Sequence, residues 1–143
     1  MPPFSPFSLS DFVSPLPPPA GVIGIGVDIA QVQRVSRAAQ GRGFVRQVFS
    51  IKEREAWATP DSFDAQSLAR AFSLKEAFFK ALGTGQRLDM LFNEISFEPL
   101  AAEGALSIVG RTAEVANALG VNKIDAQSVV SEGIAVGWVV LTA

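Results

Sequence analysis

Apolar residues recur at helical spacing between Leu68 and Gly85. There LARAFSLKEAFFKALGTG puts Leu68, Phe72, Phe79 and Leu82 on one side of a long helix. Gly83 closes it, because helices commonly end on a residue in the left-handed region, which glycine enters without strain. Upstream, Gly21–Ile29 (GVIGIGVDI) is rich in β-branched residues and reads as a buried strand whose glycines permit close backbone approach. Ala30–Gln40 reads as a helix and Phe44–Trp57 as one or two shorter ones. Ser50 followed by Glu53 forms a capping box that starts a helix at Ile51. Thr59–Asp64 is a polar loop containing Pro60. Further on, Glu94–Phe97 and Ala105–Val109 read as strands, with Gly104 and Gly110 as turns. Thr112–Leu119 is a short amphipathic helix ended by Gly120. Lys123–Val130 and Ile134–Thr142 form a hairpin around Ser131-Glu132-Gly133. These elements predict an α+β fold: a single domain over 21–143 in which an antiparallel sheet packs against a long helix.

Met1–Ala20 breaks the pattern. It carries seven of the nine prolines, among them Pro17-Pro18-Pro19. Such a segment favours extended polyproline conformation and opposes helix and sheet hydrogen bonding. A flexible N-terminal tail is expected, with Phe4, Phe7 and Phe12 available to anchor it. The remaining chain is long enough to bury a core: it has 143 residues in all, 48% of them hydrophobic. A phenylalanine-rich helix and apolar late strands exceed what one small core hides, so self-association is expected.

Composition removes whole classes of chemistry. The chain has no cysteine and no histidine. Disulfides, thiolate or imidazole metal sites, cysteine nucleophiles, Ser-His-Asp triads and a histidine base are all excluded. A metal would be held by oxygen, which points to magnesium, calcium or manganese. No apolar run is long enough to span a bilayer, so no membrane partner is expected. The N-terminus lacks the basic-then-apolar pattern of a signal peptide, and a cytoplasmic location is expected. Net charge is only −2, yet Ile29 through Lys52 has no acidic residue and contains Arg34, Arg37, Arg42, Arg46 and Lys52. That block suits an anionic partner, against the plainer reading of a solvated helix face. Nucleic acid is not expected, since the aromatic interleaving of a single-strand platform is missing.

Three residues stand out against this background. Glu76 falls on the apolar side of the long helix, four after Phe72, and Lys80 follows it by four, so the two are neighbours along the helix. A solvated surface pair is the ordinary reading of such spacing. The flanking phenylalanines argue against it, because a carboxylate among aromatic groups is costly without a cation. Asp28 interrupts an apolar strand; it either caps the next helix or carries chemistry. Gly83-Thr84-Gly85 looks like a phosphate-cradling turn. It follows a helix C-terminus, whose dipole disfavours anions, and so is not a P-loop.

Together GIGVDI at 24–29, VFSIKE at 48–53 and KEAFFKALGTG at 75–85 resemble the three signatures of the 4′-phosphopantetheinyl transferase superfamily, in its holo-acyl-carrier-protein synthase branch. The last motif is the specific one; the first alone would be weak. The resemblance implies an enzyme that moves the phosphopantetheine arm of coenzyme A to a serine of an acyl carrier protein. It also implies magnesium and a homotrimer with active sites between subunits. By position, Asp28 and Glu76 would be the metal carboxylates and Lys80 the catalytic, phosphate-contacting lysine. Coenzyme contacts would come from Lys75, Lys80, Gly83, Thr84, Gly85, Arg46 and Glu53. Arg34, with Arg37 one turn on, would bind the carrier. The base would be Glu76 or a metal-bound water.

Three departures accompany the match. Ser128-Val129-Val130-Ser131 stands where the family has Ser-x-Ser-His, Ala71 stands where it tends to have arginine, and no Gly-x-Pro occurs around Gly104. All concern the coenzyme or its surroundings and leave the carboxylates intact. A non-catalytic homologue that binds a carrier or partner is the alternative reading. An enzyme of this fold acting on another diphosphate compound is a third.

Overall fold

The computed structural model describes residues 20–57, 63–87, 89–98 and 106–143. The expected N-terminal tail up to Pro19, residues 59–62 of the expected polar loop, and Gly104 with Ala105 lie outside the described residues. The elements are β1 (Val22–Gln31), α1 (Val32–Ala39), α2 (Arg42–Val48), α3 (Ile51–Trp57) and α4 (Ala65–Ala81). A 3-10 turn (Phe92–Glu94), β2 (Ile95–Phe97), β3 (Leu106–Ile108), α5 (Gly110–Ala118), β4 (Lys123–Ser131) and β5 (Ile134–Thr142) follow. β1, β5 and β4 form an antiparallel sheet in that order, and β2 pairs with β3. The architecture is the expected α+β one, with α4 laid across the three-stranded sheet.

The β4–β5 hairpin closes through Glu132 (φ 50°) and Gly133 (φ 77°), the two-residue turn whose twist matches that of the strands. Ser131 is therefore the last strand residue, paired with Ile134. α4 starts before Leu68: Asp64 caps it, its carboxylate accepting from the Gln66 and Ser67 backbone N–H groups. It ends as expected, with Gly83 at φ 73° donating its N–H to the Lys80 carbonyl. α5 begins at Gly110, two residues early. Glu94, expected to open a strand, instead accepts the backbone N–H groups of Arg111 and Thr112 and so caps α5.

β1 differs from expectation in two ways. It runs on to Gln31, because Ala30 and Gln31 still pair with Ala135 and Ile134 of β5; α1 thus begins at Val32. It is also not buried on both faces. Gly24 and Gly26 face α4, where a Cβ at either would overlap the backbone of Ala81 or Ala77. Gly137 of β5 meets Ser73 and Leu74 in the same way. On the other face Ile25, Val27 and Ile29 are 61%, 51% and 64% exposed, since none of the described elements covers that side of the sheet.

The glycine contacts set the register that matters. Moving from Gly24 to Gly26 shifts the facing residue from Ala81 to Ala77. Two strand residues advance about 6.6 Å and four helix residues about 6 Å, so strand and helix keep step. One step further brings Asp28 alongside the turn of α4 that carries Glu76. The sheet and α4 bury Leu74, Phe78, Val139 and Leu141 between them.

Candidate active site

α4 is buried almost all round, with ten of its residues in the core. Beyond Ala71 the exceptions run at intervals of four: Phe72 and Glu76 are half-buried and Lys80 is exposed. That stripe forms one wall of a cleft of about 710 Å³. β1 supplies Asp28 to it, α1 supplies Arg34, and α2 supplies Phe44. One end of the cleft is therefore charged and the other aromatic, with the Phe44 and Phe72 rings 6.0 Å apart.

At the charged end, Lys80 Nζ donates to Asp28 Oδ1 at 2.7 Å and to the Val27 carbonyl at 3.2 Å. Lys80 is thus engaged with the strand and not with its helical neighbour Glu76. The hydrogen bond to Asp28 raises the Lys80 pKa, so the ammonium stays charged. Burial pushes the Glu76 carboxyl up, and the Asp28 charge adds to this while Lys80 partly offsets it. Two carboxylates facing one cleft, one of them held against its ionised form, suit a hard divalent cation. Asp28 and Glu76 are the residues that would hold it. Asp28 does not cap α1: the N-cap is Gln31, with no side-chain bond.

The other expected contacts separate into two groups. Arg34 reaches the cleft; Arg37 is exposed on the same helix outside the lining. Arg46, Gly83, Thr84 and Gly85 do not line this cleft. Lys75 and Glu53 are a correction. Their side chains are fully buried, with Lys75 Nζ 2.6 Å from Glu53 Oε2 and 2.6 Å from the Val48 carbonyl. Glu53 also accepts the Ser50 and Phe97 N–H groups at 2.8 and 2.9 Å. With its donors and acceptors already engaged, this pair is structural and no coenzyme reaches it. The capping-box reading of Ser50 and Glu53 holds: Ser50 Oγ accepts the Glu53 N–H at 3.3 Å.

Phe44 is a wall residue that sequence reasoning did not single out. Nothing in its spacing distinguishes it from a core aromatic; only the fold turns α2 toward α4. Arg70, adjacent to the departure at Ala71, spans to β4 instead, donating from Nε to Ser128 Oγ at 2.8 Å, with its guanidinium 5.1 Å from the centre of the Phe97 ring. No described helix is long and apolar enough to cross a membrane.

Comparisons with known proteins bear on the family and the fold. Residues 24–131 match the family model described as the 4′-phosphopantetheinyl transferase superfamily. The holo-[acyl-carrier-protein] synthase of Vibrio vulnificus (strain YJ016) is 33% identical over 103 residues, 70% of this chain and 81% of that protein. That of Vibrio cholerae is 34% identical over 107 residues, 72% and 83% of the two chains. The crystal structure of holo-[acyl-carrier-protein] synthase from Neisseria meningitidis superposes with a TM-score of 0.70 at 25% identity, covering 85% of this chain and 99% of that one. The Helicobacter pylori enzyme, solved in complex with coenzyme A, shares the fold with a TM-score of 0.67 at 24% identity, over 82% and 99% of the two chains.

Proposed function

The chain belongs to the 4′-phosphopantetheinyl transferase superfamily, in its holo-acyl-carrier-protein synthase branch, and on that premise we propose that it transfers the 4′-phosphopantetheine arm of coenzyme A to a serine of an apo-acyl carrier protein. The observation that carries this reading is the convergence of Asp28, Glu76, Lys80 and Arg34 on one cleft. The serine oxygen attacks the phosphorus that bears the pantetheine arm. The bond from that phosphorus to the bridging oxygen breaks, and adenosine 3′,5′-bisphosphate leaves. Charge spreads over the phosphoryl oxygens, so positioning and electrostatics supply most of the rate. Lys80 places a point charge beside those oxygens. Glu76, which lines the cleft, is the chain's own carboxylate placed to accept the serine proton. Magnesium, when bound by Asp28 and Glu76, would neutralise the diphosphate charge.

Arg34 and Arg37 are three apart on α1 and both exposed, and we assign them the acidic carrier. The face bearing Ile25, Val27 and Ile29, left open by the described elements, supports self-association, for which we assign a homotrimer from the family. Arg46 and Gly83–Gly85, outside their own chain's cleft, would contact coenzyme A in a cleft shared with a neighbouring subunit. A cytoplasmic location fits these substrates.

The test is incubation with apo-carrier, coenzyme A and magnesium, followed by intact mass. A gain of one phosphopantetheine arm, abolished by chelation, supports the reading. Carrier that binds yet stays unmodified, across several carrier proteins, supports the non-catalytic alternative. Reversing both Arg34 and Arg37 to glutamate should raise the KM for carrier far more than that for coenzyme A. Carrier kinetics unchanged by the reversal would refute the docking assignment alone.

A further inference from the structure

The buried Lys75–Glu53 pair lies at a junction that reaches the cleft. Lys75 Nζ contacts the carbonyl of Val48, the last residue of α2, and lies 5.2 Å from the centre of the Phe49 ring. Phe49 packs edge-on against Phe44 at 5.9 Å, and Phe44 faces Phe72 across the cleft. On the other side of the junction, Glu53 binds the N-terminal turn of α3 and the Phe97 N–H of β2. One ammonium and one carboxylate thus tie α2, α3 and β2 to the turn of α4 that carries Glu76.

α2 needs such a tie. It has seven residues, an N-cap without a side-chain bond and no acidic residue in its first turn. A helix that short has little order of its own and takes its place from tertiary contacts. A cation at its C-terminal carbonyl also opposes the helix dipole favourably. Stability alone does not account for the pair, since apolar residues of similar volume often replace a buried ion pair without loss. Directional bonds to three separate elements are what an apolar substitute lacks.

We propose that the Lys75–Glu53 pair is a positioning element of the active site: it holds α2, and through Phe49 the Phe44 ring, at the spacing from α4 that substrate binding needs. This rests on the cleft being the substrate site. Neither residue touches substrate.

The experiment replaces both partners, Lys75→Met with Glu53→Leu, which removes both charges while keeping bulk. Amide hydrogen exchange is followed over residues 42–48, alongside KM and kcat for coenzyme A and carrier. The expected result is exchange accelerated selectively in 42–48. KM for one or both substrates should rise about tenfold, the scale of a sub-ångström misplacement, with a smaller change in kcat. Unchanged exchange in 42–48, or acceleration spread evenly over the chain, overturns the proposal, as does unaltered KM in a variant that still folds. Should the double variant fail to fold, Lys75→Arg keeps the charge but changes its geometry, and the same exchange pattern decides. If wild-type protein transfers nothing, the proposed function fails, while coenzyme A binding by calorimetry and exchange in 42–48 still judge this proposal.

Discussion

α4 carries two lysine–carboxylate pairs, on different sides and with opposite fates. Lys75 meets Glu53 at 2.6 Å with both side chains fully enclosed. Lys80 meets Asp28 at 2.7 Å with the lysine 53% and the aspartate 17% exposed. The bond lengths are nearly equal, so distance does not separate them; surroundings do. Burial lowers the Lys75 pKa to about 8, against the pull of Glu53, whereas the Asp28 hydrogen bond raises that of Lys80. The enclosed pair has its partners engaged within the fold and serves architecture. The open pair faces a cleft, beside a carboxylate whose proton affinity is raised, and keeps its charge available to a ligand.

Breaking the open pair should produce the largest effect, and on activity alone. Lys80→Ala or Asp28→Asn is expected to reduce carrier modification by about 10²–10³-fold, the scale of losing one preorganised charge contact in a transition state. Unfolding free energy should stay within about 1 kcal/mol of wild type, as for exposed pairs generally. Initial rates by intact mass and urea denaturation on the same samples check both halves. A large stability loss would show that the open pair is structural after all.

Breaking the enclosed pair on one side should instead cost stability. Lys75→Met leaves Glu53 charged and buried, and unfolding free energy should fall by about 3–5 kcal/mol. A loss below about 1 kcal/mol in urea titrations would erase the contrast between the two pairs.

Gly26→Ala sharpens the comparison from the sheet side. The new methyl would collide with the backbone of α4 at Ala77, between the two steps that align Asp28 with Glu76. Overpacking of this kind costs about 1–3 kcal/mol. Coenzyme A affinity should drop as well, because the open pair lies on the displaced side; calorimetry reads it directly.

The smallest effect is at the start of α4, remote from both pairs. Asp64→Ala removes the N-cap and should cost about 1 kcal/mol at neutral pH. The hydrogen bond from the Ser67 hydroxyl, foremost, holds the Asp64 carboxyl below its ordinary value of 3.8. The folded state then binds this proton less readily than the unfolded chain. The ionised cap's contribution is complete above that ordinary value and fades as pH falls through the lower folded one. Variant and wild type should therefore converge in acid, as followed by thermal unfolding at stepped pH. A constant gap down to pH 2 would mean the cap does not act through its ionised carboxylate.

Much of this molecule was legible along the chain because its causes are local. Helical spacing and Gly83 located α4 and its end. Ser50 with Glu53 marked the start of α3, and Glu132-Gly133 the hairpin turn. Motif spacing selected Asp28, Glu76 and Lys80, three side chains the fold brings to one cleft. Boundaries moved where a distant partner intervened. β1 outran its expected end because β5 continued to pair with it, and Glu94 left its strand to cap α5.

What the chain's order could not decide was the fate of residues alike in type and near in sequence. Lys75 and Lys80 share one helix and one motif, five residues apart. Their partners lie 22 and 52 residues away. Helical geometry turns their side chains in different directions. One meets the close packing of α2, α3 and β2; the other meets an open edge where two glycines bring the strand against the helix. Likewise Ile25, Val27 and Ile29 read as core until the sheet showed α4 covering a single face. Local propensity fixes which elements form, but burial depends on what packs against each face, and that is settled only when distant segments meet.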